Sequence, residues 1–253
     1  MFSVLILRVT FFPSSITGSK AFTTSGQFKV SPGVNNIHVL AVGGGAGGGS
    51  GSAGGGGSGY VKEGYVAVNV GDVITVTVGR GGSGSTFKIN MDAQDAYPGE
   101  RSSFDSLVVA DGENKMNPMG RTGGDGGSGG GGDGVQSKSG DGGTGGSDGA
   151  NGSAKGDKGQ GDYSSLLSSF KLAKFTAGSC GKGGVNCGGG GGGVLMNGHG
   201  PAAIGLDKCA FGGKGFGASG AGGFDENDSS TSPSTYIHNE GGSGADGLVY
   251  VEW

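Results

Sequence analysis

Six stretches of the chain alternate apolar with polar residues, or run apolar throughout, and turn residues separate them. The stretch at residues 73–78 reads Val-Ile-Thr-Val-Thr-Val, with a β-branched residue at every position, which favours extended chain over helix. Ser-Pro-Gly at 31–33 and Gly-Asp at 71–72 predict turns between neighbouring strands. The predicted strands cover residues 21–30, 37–42, 60–70, 73–78, 107–110 and 248–253. This pattern predicts an all-β fold of mainly antiparallel strands.

The strands also predict a core. Alternation places one set of valines on the inward face of a sandwich, where truncation of each to alanine is expected to cost about 1–3 kcal/mol. These residues are Val39, Val76, Val78, Val108 and Val249. One segment departs from the strand pattern: at residues 163–174, Leu166, Leu167 and Phe170 are spaced to share one face of a helix.

Glycine supplies 67 of the 253 residues and recurs at every third position. One register holds Gly120, Gly123, Gly126, Gly129 and Gly132; a second holds Gly140, Gly143, Gly146, Gly149 and Gly152; a third holds Gly45, Gly48, Gly51, Gly54 and Gly57. A three-residue period matches the polyproline II helix, which has no internal hydrogen bonds. Its backbone must therefore pair with neighbouring chains, which only glycine lets approach closely. The sequence predicts a hydrogen-bonded bundle of polyglycine II helices.

Two other structures share parts of this pattern. Collagen has the same period but is rich in proline, and this chain has six prolines in all. A disordered Gly/Ser linker has a similar composition, but the sustained register and the flanking strands argue against it. The glycine runs, at about residues 43–59, 120–162, 178–193 and 212–223, mostly begin where a predicted strand ends or lead into one. They are typical of insertions from the loops of a β-sandwich.

Three stretches carry a resemblance to secreted glycine-rich domains. They are residues 30–49, which end in Gly-Gly-Gly-Ala-Gly-Gly-Gly, residues 65–79, and residues 188–201. Similar domains occur in the ectodomains of anaplastic lymphoma kinase-type receptors and in phage tail-fibre tip adhesins. The resemblance covers about residues 20–253 and implies a jelly-roll, tumour-necrosis-factor-like β-sandwich with inserted polyglycine II helices. It indicates architecture more than activity, because members of the family differ in function.

The first residues form a separate unit in this interpretation. Residues 1–12 place Leu5, Leu7, Val9 and Phe11 on one face of a strand. The alternative is a signal peptide, although the segment lacks a basic start and Arg8 interrupts its apolar run. We therefore expect residues 1–19 to form an N-terminal strand and linker, a candidate donor strand for another copy, ahead of a glycine-rich domain at 20–253.

Candidate modification sites are few. Cys180 and Cys187 lie close enough in sequence for a small disulfide loop, with Cys209 free or linked between chains; three unpaired thiols are the alternative. Asn151 and Asn227 begin Asn-x-Ser acceptors for N-glycosylation if the chain is secreted by a eukaryote.

No constellation of catalytic or metal-binding residues emerges. Gly-x-Ser-x-Gly matches at 126–130 and 145–149 lie inside the periodic glycine run, where the strand-to-helix turn of a nucleophile elbow is not expected. His38, His199 and His238 stand in unrelated contexts, and His38 is expected on a strand face. We expect no cofactor and no metal. The net charge is −4 with scattered basic residues, which argues against a nucleic-acid partner, and no apolar stretch reaches the roughly 20 residues that span a bilayer.

These observations favour a non-enzymatic, extracellular structural protein that assembles with itself into a filament or matrix. The alternative is an adhesin or ligand-binding module whose partner is a glycan or a cell-surface ligand. Ice binding is a third reading, but the chain lacks a regular Ala/Thr face.

Overall fold

The computed structural model describes residues 16–50, 53–86, 96–112, 124–127, 169–179, 181, 188–204, 211–222, 225–228, 235–238 and 240–253. These residues form twelve β-strands and no helix, so the all-β prediction is confirmed for them. The strands are β1 (Ser19–Phe22), β2 (Gly26–Lys29), β3 (Asn36–Val42), β4 (Val61–Ala67), β5 (Val73–Thr77), β6 (Ser102–Phe104), β7 (Val108–Ala110), β8 (Phe175–Ala177), β9 (Val194–Met196), β10 (Asp225–Asp228), β11 (Thr235–His238) and β12 (Leu248–Glu252).

Two four-stranded antiparallel sheets organise the fold. The first has the strand order β1-β12-β3-β4 and the second the order β2-β5-β6-β7. Two further antiparallel pairs, β8-β9 and β10-β11, form separate two-stranded sheets. The final strand of the chain lies between β1 and β3, so the two ends of the domain meet in one sheet.

Both large sheets contribute to one hydrophobic core. Side chains of the first sheet such as Val39 and Val249 pack with Val76 and Phe104 of the second. All five valines that the sequence predicts to be inward-facing are at most 7% exposed, which confirms their placement. The cost of truncating them stays a prediction.

The first sheet is buried on its other face as well. Leu40, Val42, Leu248 and Tyr250 belong to a second cluster with residues 170–175 and β9. Burial on two sides explains why β3 reads as a continuous apolar run rather than an alternating one. It also gives the first sheet a sandwiched position, between the second sheet and a covering layer.

Several sequence predictions need correction. The single strand predicted at 21–30 is two strands, β1 and β2, and the polar residues 23–25 carry the chain from one sheet to the other. Ser25 marks the crossing, since its Oγ accepts a hydrogen bond from the N–H of Val78 at 3.0 Å. The break arises because Phe22 and Phe28 both enter the shared core from different sheets.

The helix predicted at 163–174 is wrong for the part that the structure describes. Residues 169–174 form bends, and the chain then enters β8. Tertiary contacts override the helical spacing here, because Phe170 and Ala173 pack on the second face of the first sheet. Residues 163–168 lie outside the described part. The short strands β6, β8 and β9, and the pair β10-β11, were not predicted, since three or four residues carry too weak a pattern.

Candidate functional site

The described glycine segments bond to one another laterally through their backbones. Along residues 44–49, successive N–H groups donate to three neighbouring segments in turn. Residues three positions apart therefore donate to the same segment. The pairs, donor first, are Gly44–Glu100, Gly45–Ala245, Ala46–Gly57, Gly47–Tyr97, Gly48–Gly242 and Gly49–Gly54, at 2.8 to 3.4 Å. We call this packed set of segments, at 43–50, 53–59, 79–85, 96–100, 188–193, 211–222 and 240–247, the glycine lattice.

The carbonyl oxygens of the same segment accept hydrogen bonds from neighbouring segments. Gly45 and Gly48 accept from the N–H groups of Gly82 and Ser85, at 2.8 and 3.0 Å. Ala46 accepts from Gly220 at 3.0 Å. Buried backbone groups are costly when they lack partners, and residues 43–50, 53–59, 188–193 and 217–222 are buried throughout. Lateral bonds therefore satisfy a backbone that neither a strand nor an α-helix would satisfy.

Glycine is required in the lattice for a steric reason. A Cβ built on Gly48 would lie less than 3.0 Å from the backbone carbonyl of Ala221, and one on Gly126 equally close to that of Ser58. Real Cβ atoms essentially never come that near. Gly126 belongs to the register at 120–132, so at least one glycine of that run packs against the segment at 53–59.

One buried hydroxyl is built into the lattice. Ser219 is fully buried, and its Oγ accepts from the N–H of Gly191 at 2.6 Å and donates to the carbonyl of Gly56 at 2.5 Å. It thus joins its own segment to the segments of Gly191 and Gly56. A serine inside a glycine run can in this way be structural rather than nucleophilic.

The other chemical feature of the domain centres on His38. Its ring lies in a stack between Tyr65 at 4.1 Å and Phe170 at 3.9 Å, with interplanar angles of 7° and 3°. The sheet register sets this arrangement, because Glu252, His38 and Tyr65 are direct cross-strand neighbours on β12, β3 and β4. The prediction that His38 lies on a strand face is confirmed.

Two carboxylates accompany the imidazole. Glu63 Oε2 lies 3.6 Å from His38 Nε2 and accepts a hydrogen bond from Ser169 Oγ at 2.8 Å. Glu252 is 1% exposed, and its carboxylate accepts from the backbone N–H groups of Lys171 and Leu172 at 3.1 and 2.6 Å. We call the group of His38, Glu63 and Glu252 the His38 cluster.

Burial sets the protonation states around this cluster. It lowers the pKa of His38 below its ordinary value, against the opposing pull of Glu63 and Glu252. It also raises the pKa of Tyr250 to about 12, so the Tyr250 hydroxyl keeps its proton and donates to Glu252 Oε1 at 3.1 Å. At neutral pH the imidazole is therefore uncharged beside a buried carboxylate.

This arrangement is not a nucleophilic triad. The Ser169 hydroxyl donates to Glu63, whereas a serine nucleophile must donate to the imidazole that takes its proton. Among the residues that the structure describes, no group of three or more His, Cys, Asp or Glu side chains could hold a metal ion.

A pH titration tests the state of His38. Since its folded pKa lies below that of the unfolded chain, stability is full above about pH 6.5 and is lost as the pH falls toward the folded pKa. We expect the free energy of unfolding to fall by about 1.4 kcal/mol for each pKa unit of that difference. Replacement of His38 by phenylalanine keeps an aromatic ring in the stack and should remove this part of the pH dependence. Chemical denaturation at several pH values measures both, and an unchanged slope in the variant would contradict the assignment.

The predicted modification sites fall mostly outside the described residues. Asn151, Cys180, Cys187 and Cys209 all lie in undescribed stretches. The backbone of Asn227 lies in β10, opposite Tyr236 of β11; its glycosylation stays a prediction.

Sequence reasoning missed the partners of His38. Glu63, Tyr65, Phe170 and Glu252 lie in three distant parts of the chain, so no local motif joins them. One signal was available in the last strand. Leu248, Tyr250 and Glu252 occupy every second position and so share one face, which places an acidic residue beside two largely apolar ones.

A family model for a glycine-rich domain matches residues 23–253 of the chain. A comparison with curated proteins finds no match. In the described part of the chain, no helix is both long and apolar enough to cross a membrane.

Proposed function

The chain belongs to the glycine-rich domain family, and from this premise we propose that it is a non-enzymatic, extracellular structural protein that assembles into filaments or a matrix. The observation that carries the proposal is the glycine lattice. Along residues 44–49, successive N–H groups donate to three neighbouring segments in turn. This gives a period of three residues, which is the period of a polyglycine II helix. Such a lattice is buried and has no room for side chains at its glycines, which are properties of a scaffold.

The proposed architecture is a jelly-roll, tumour-necrosis-factor-like sandwich with polyglycine II helices inserted in its loops. Two observations support it. The two four-stranded sheets share one core. The segments at 43–50 and 53–59 follow β3 and precede β4, and the segment at 240–247 leads into β12. In this arrangement the sheets supply hydrophobic stability, and the glycine segments extend the body beyond the strand ends.

Assembly is proposed to use residues 1–12 as a strand donated to another copy. The segment is largely apolar on both faces, which suits burial in a sheet better than exposure. An acceptor edge is available at β1, which pairs only with β12 among the described residues and has three of its four residues exposed. A head-to-tail contact of this kind does not close on itself and generates a filament.

Deletion of residues 1–12 tests this function. By electron microscopy, the full chain is expected to form ordered filaments and the deleted chain to stay monomeric, because the donated strand is missing. Circular dichroism should show that the deleted chain keeps its β-structure, since both sheets begin after residue 18. Filaments that persist after deletion would rule out strand donation, and a full chain that stays monomeric would rule out the filament.

The second candidate function is that of a ligand-binding module or adhesin. The observation that favours it is a cavity of about 150 Å³ beside the His38 cluster, because a pocket is not needed by a scaffold. The two functions are compatible, since this cavity and the glycine lattice lie toward opposite ends of the first sheet.

A further inference from the structure

The free edge of the first sheet, along β1, has backbone groups that are available for pairing. Gly18 and Trp253 exchange two backbone hydrogen bonds, at 2.9 and 3.0 Å, so every second residue of β1 counted from Gly18 bonds to β12. The N–H and C=O groups of the intervening Ser19 and Ala21 therefore point away from β12. They have no backbone partner within the described part of the chain. A further strand can use these groups as its donors and acceptors.

The two faces of β1 differ in character. Phe22 belongs to the core that both large sheets share, and Lys20, two positions away, lies on the same face. The Lys20 Nζ lies 4.5 Å from the centre of the Phe22 ring. Ser19 and Ala21 lie on the opposite face and are exposed. Because an inward-pointing charge discourages unspecific strand addition, a strand that joins β1 must displace Lys20 from this ring.

The path of the chain before β1 leads away from this edge. Thr17 and Gly18 both donate to the carbonyl of Trp253, at 2.6 and 2.9 Å. Ile16 lines the cavity beside the His38 cluster together with Asn36 of β3, and β3 lies on the other side of β12 from β1. The residues before 16 thus start from the side of β12 that is remote from the free edge. This favours pairing with the edge of another copy over return to their own.

The N-terminal segment has one row of side chains that matches the inward face. Taken as a strand, it places Leu5, Leu7, Val9 and Phe11 on one side, which we call the apolar row. The other side includes Ile6 and the charged Arg8. Since like charges on neighbouring strands repel, Arg8 is better placed on the exposed face than beside Lys20.

We infer that the β1 edge binds residues 1–12 of a second copy, with the apolar row turned toward the core and Lys20 displaced from Phe22. The backbones of Ser19 and Ala21 supply the hydrogen bonds. Lys20 selects the orientation, because a cation on the inward row would meet its ammonium group. This inference rests on the proposed filament and specifies the two surfaces that meet in it.

Two substitutions in the donated segment test the orientation. Leu7→Lys places a cation on the apolar row, beside Lys20 and the core, and should lower the fraction of the full chain found in filaments at least tenfold. Ile6→Lys adds the same charge to the row that faces solvent and should leave this fraction within about twofold of that of the unaltered chain. Electron microscopy and sedimentation measure both. Equal effects of the two substitutions would overturn the inferred orientation.

Ala21→Pro tests the acceptor edge. Proline removes the outward N–H and places its ring where the added strand would lie, while the bonds from β1 to β12 remain. The altered full chain should stay monomeric.

Gln27→Pro on β2, the edge strand of the second sheet, is the matched control. Val30 donates to Asp72 at 2.9 Å, so Phe28 bonds to β5 and the N–H of Gln27 points outward. This variant should still form filaments. Circular dichroism should show that both proline variants keep their β-structure. Filaments of the Ala21→Pro chain would overturn the choice of β1 as the acceptor.

A mixture of the Leu7→Lys and Ala21→Pro chains gives the sharpest test. The first keeps its acceptor edge and the second keeps its donated strand, so one contact forms and growth then stops. Sedimentation velocity should show monomers of each chain alone and dimers in the mixture. Absence of dimers would overturn the inference, even where deletion of residues 1–12 abolishes the filaments and so supports the proposed function. A full unaltered chain that stays monomeric would overturn both.

Discussion

Replacement of Gly48 by alanine is expected to destabilise the domain by about 3 kcal/mol or more. The new methyl group would overlap the backbone carbonyl of Ala221, and backbone cannot move aside as a flexible side chain can. Gly48 also donates to Gly242 and accepts from Ser85. A shift that relieves the overlap must therefore stretch lateral hydrogen bonds to two other segments. Thermal or denaturant unfolding of the variant measures the loss.

Gly26 provides the matched control. It lies in β2, and a Cβ built on it would meet only the ring of Phe22, at 3.9 Å, an ordinary contact. Alanine there should change stability by less than about 1 kcal/mol, because a glycine inside a strand is itself mildly unfavourable. If Gly48→Ala and Gly26→Ala have the same effect, the glycine lattice does not carry stability.

Truncation of Phe104 to alanine is expected to cost about 3–5 kcal/mol, the range for a large buried aromatic side chain. Phe104 is fully buried, and its ring lies 5.8 Å from that of Phe28 on the same sheet. It lies on β6 between Val76 of β5 and Val108 of β7. Loss of the ring would leave a cavity at the centre of the shared core.

Leu107 is the control for this second prediction. It follows Phe104 in the turn between β6 and β7 and is 54% exposed. Its replacement by alanine should change the free energy of unfolding by no more than about 0.5 kcal/mol. Comparable losses in Phe104→Ala and Leu107→Ala, measured by denaturant unfolding, would mean that the two large sheets do not share a core at this position.

Part of the fold could be predicted because it depends on local chemistry. β-Branched runs such as residues 73–78 favour strands wherever they pack. The turns at Gly33 and Gly71 were also readable, since both glycines adopt the positive φ that other residues avoid, 86° and 88°. The helix predicted at 163–174 is wrong over its described residues, 169–174, for the opposite reason: its spacing is local evidence, and Phe170 instead packs on residues of the first sheet.

The sequence by itself determined the class of fold and the glycine requirement. Strand propensity is a property of short segments, and a three-residue period of glycine already demands close lateral packing. Only the tertiary structure decided which segments are neighbours and where the chemistry lies. Lateral hydrogen bonds join backbone groups that every glycine has, so the sequence carries no signal that pairs Gly48 with Gly242. The His38 cluster likewise exists only because the register of β12, β3 and β4 brings residues 252, 38 and 65 side by side, and burial then fixes their charges.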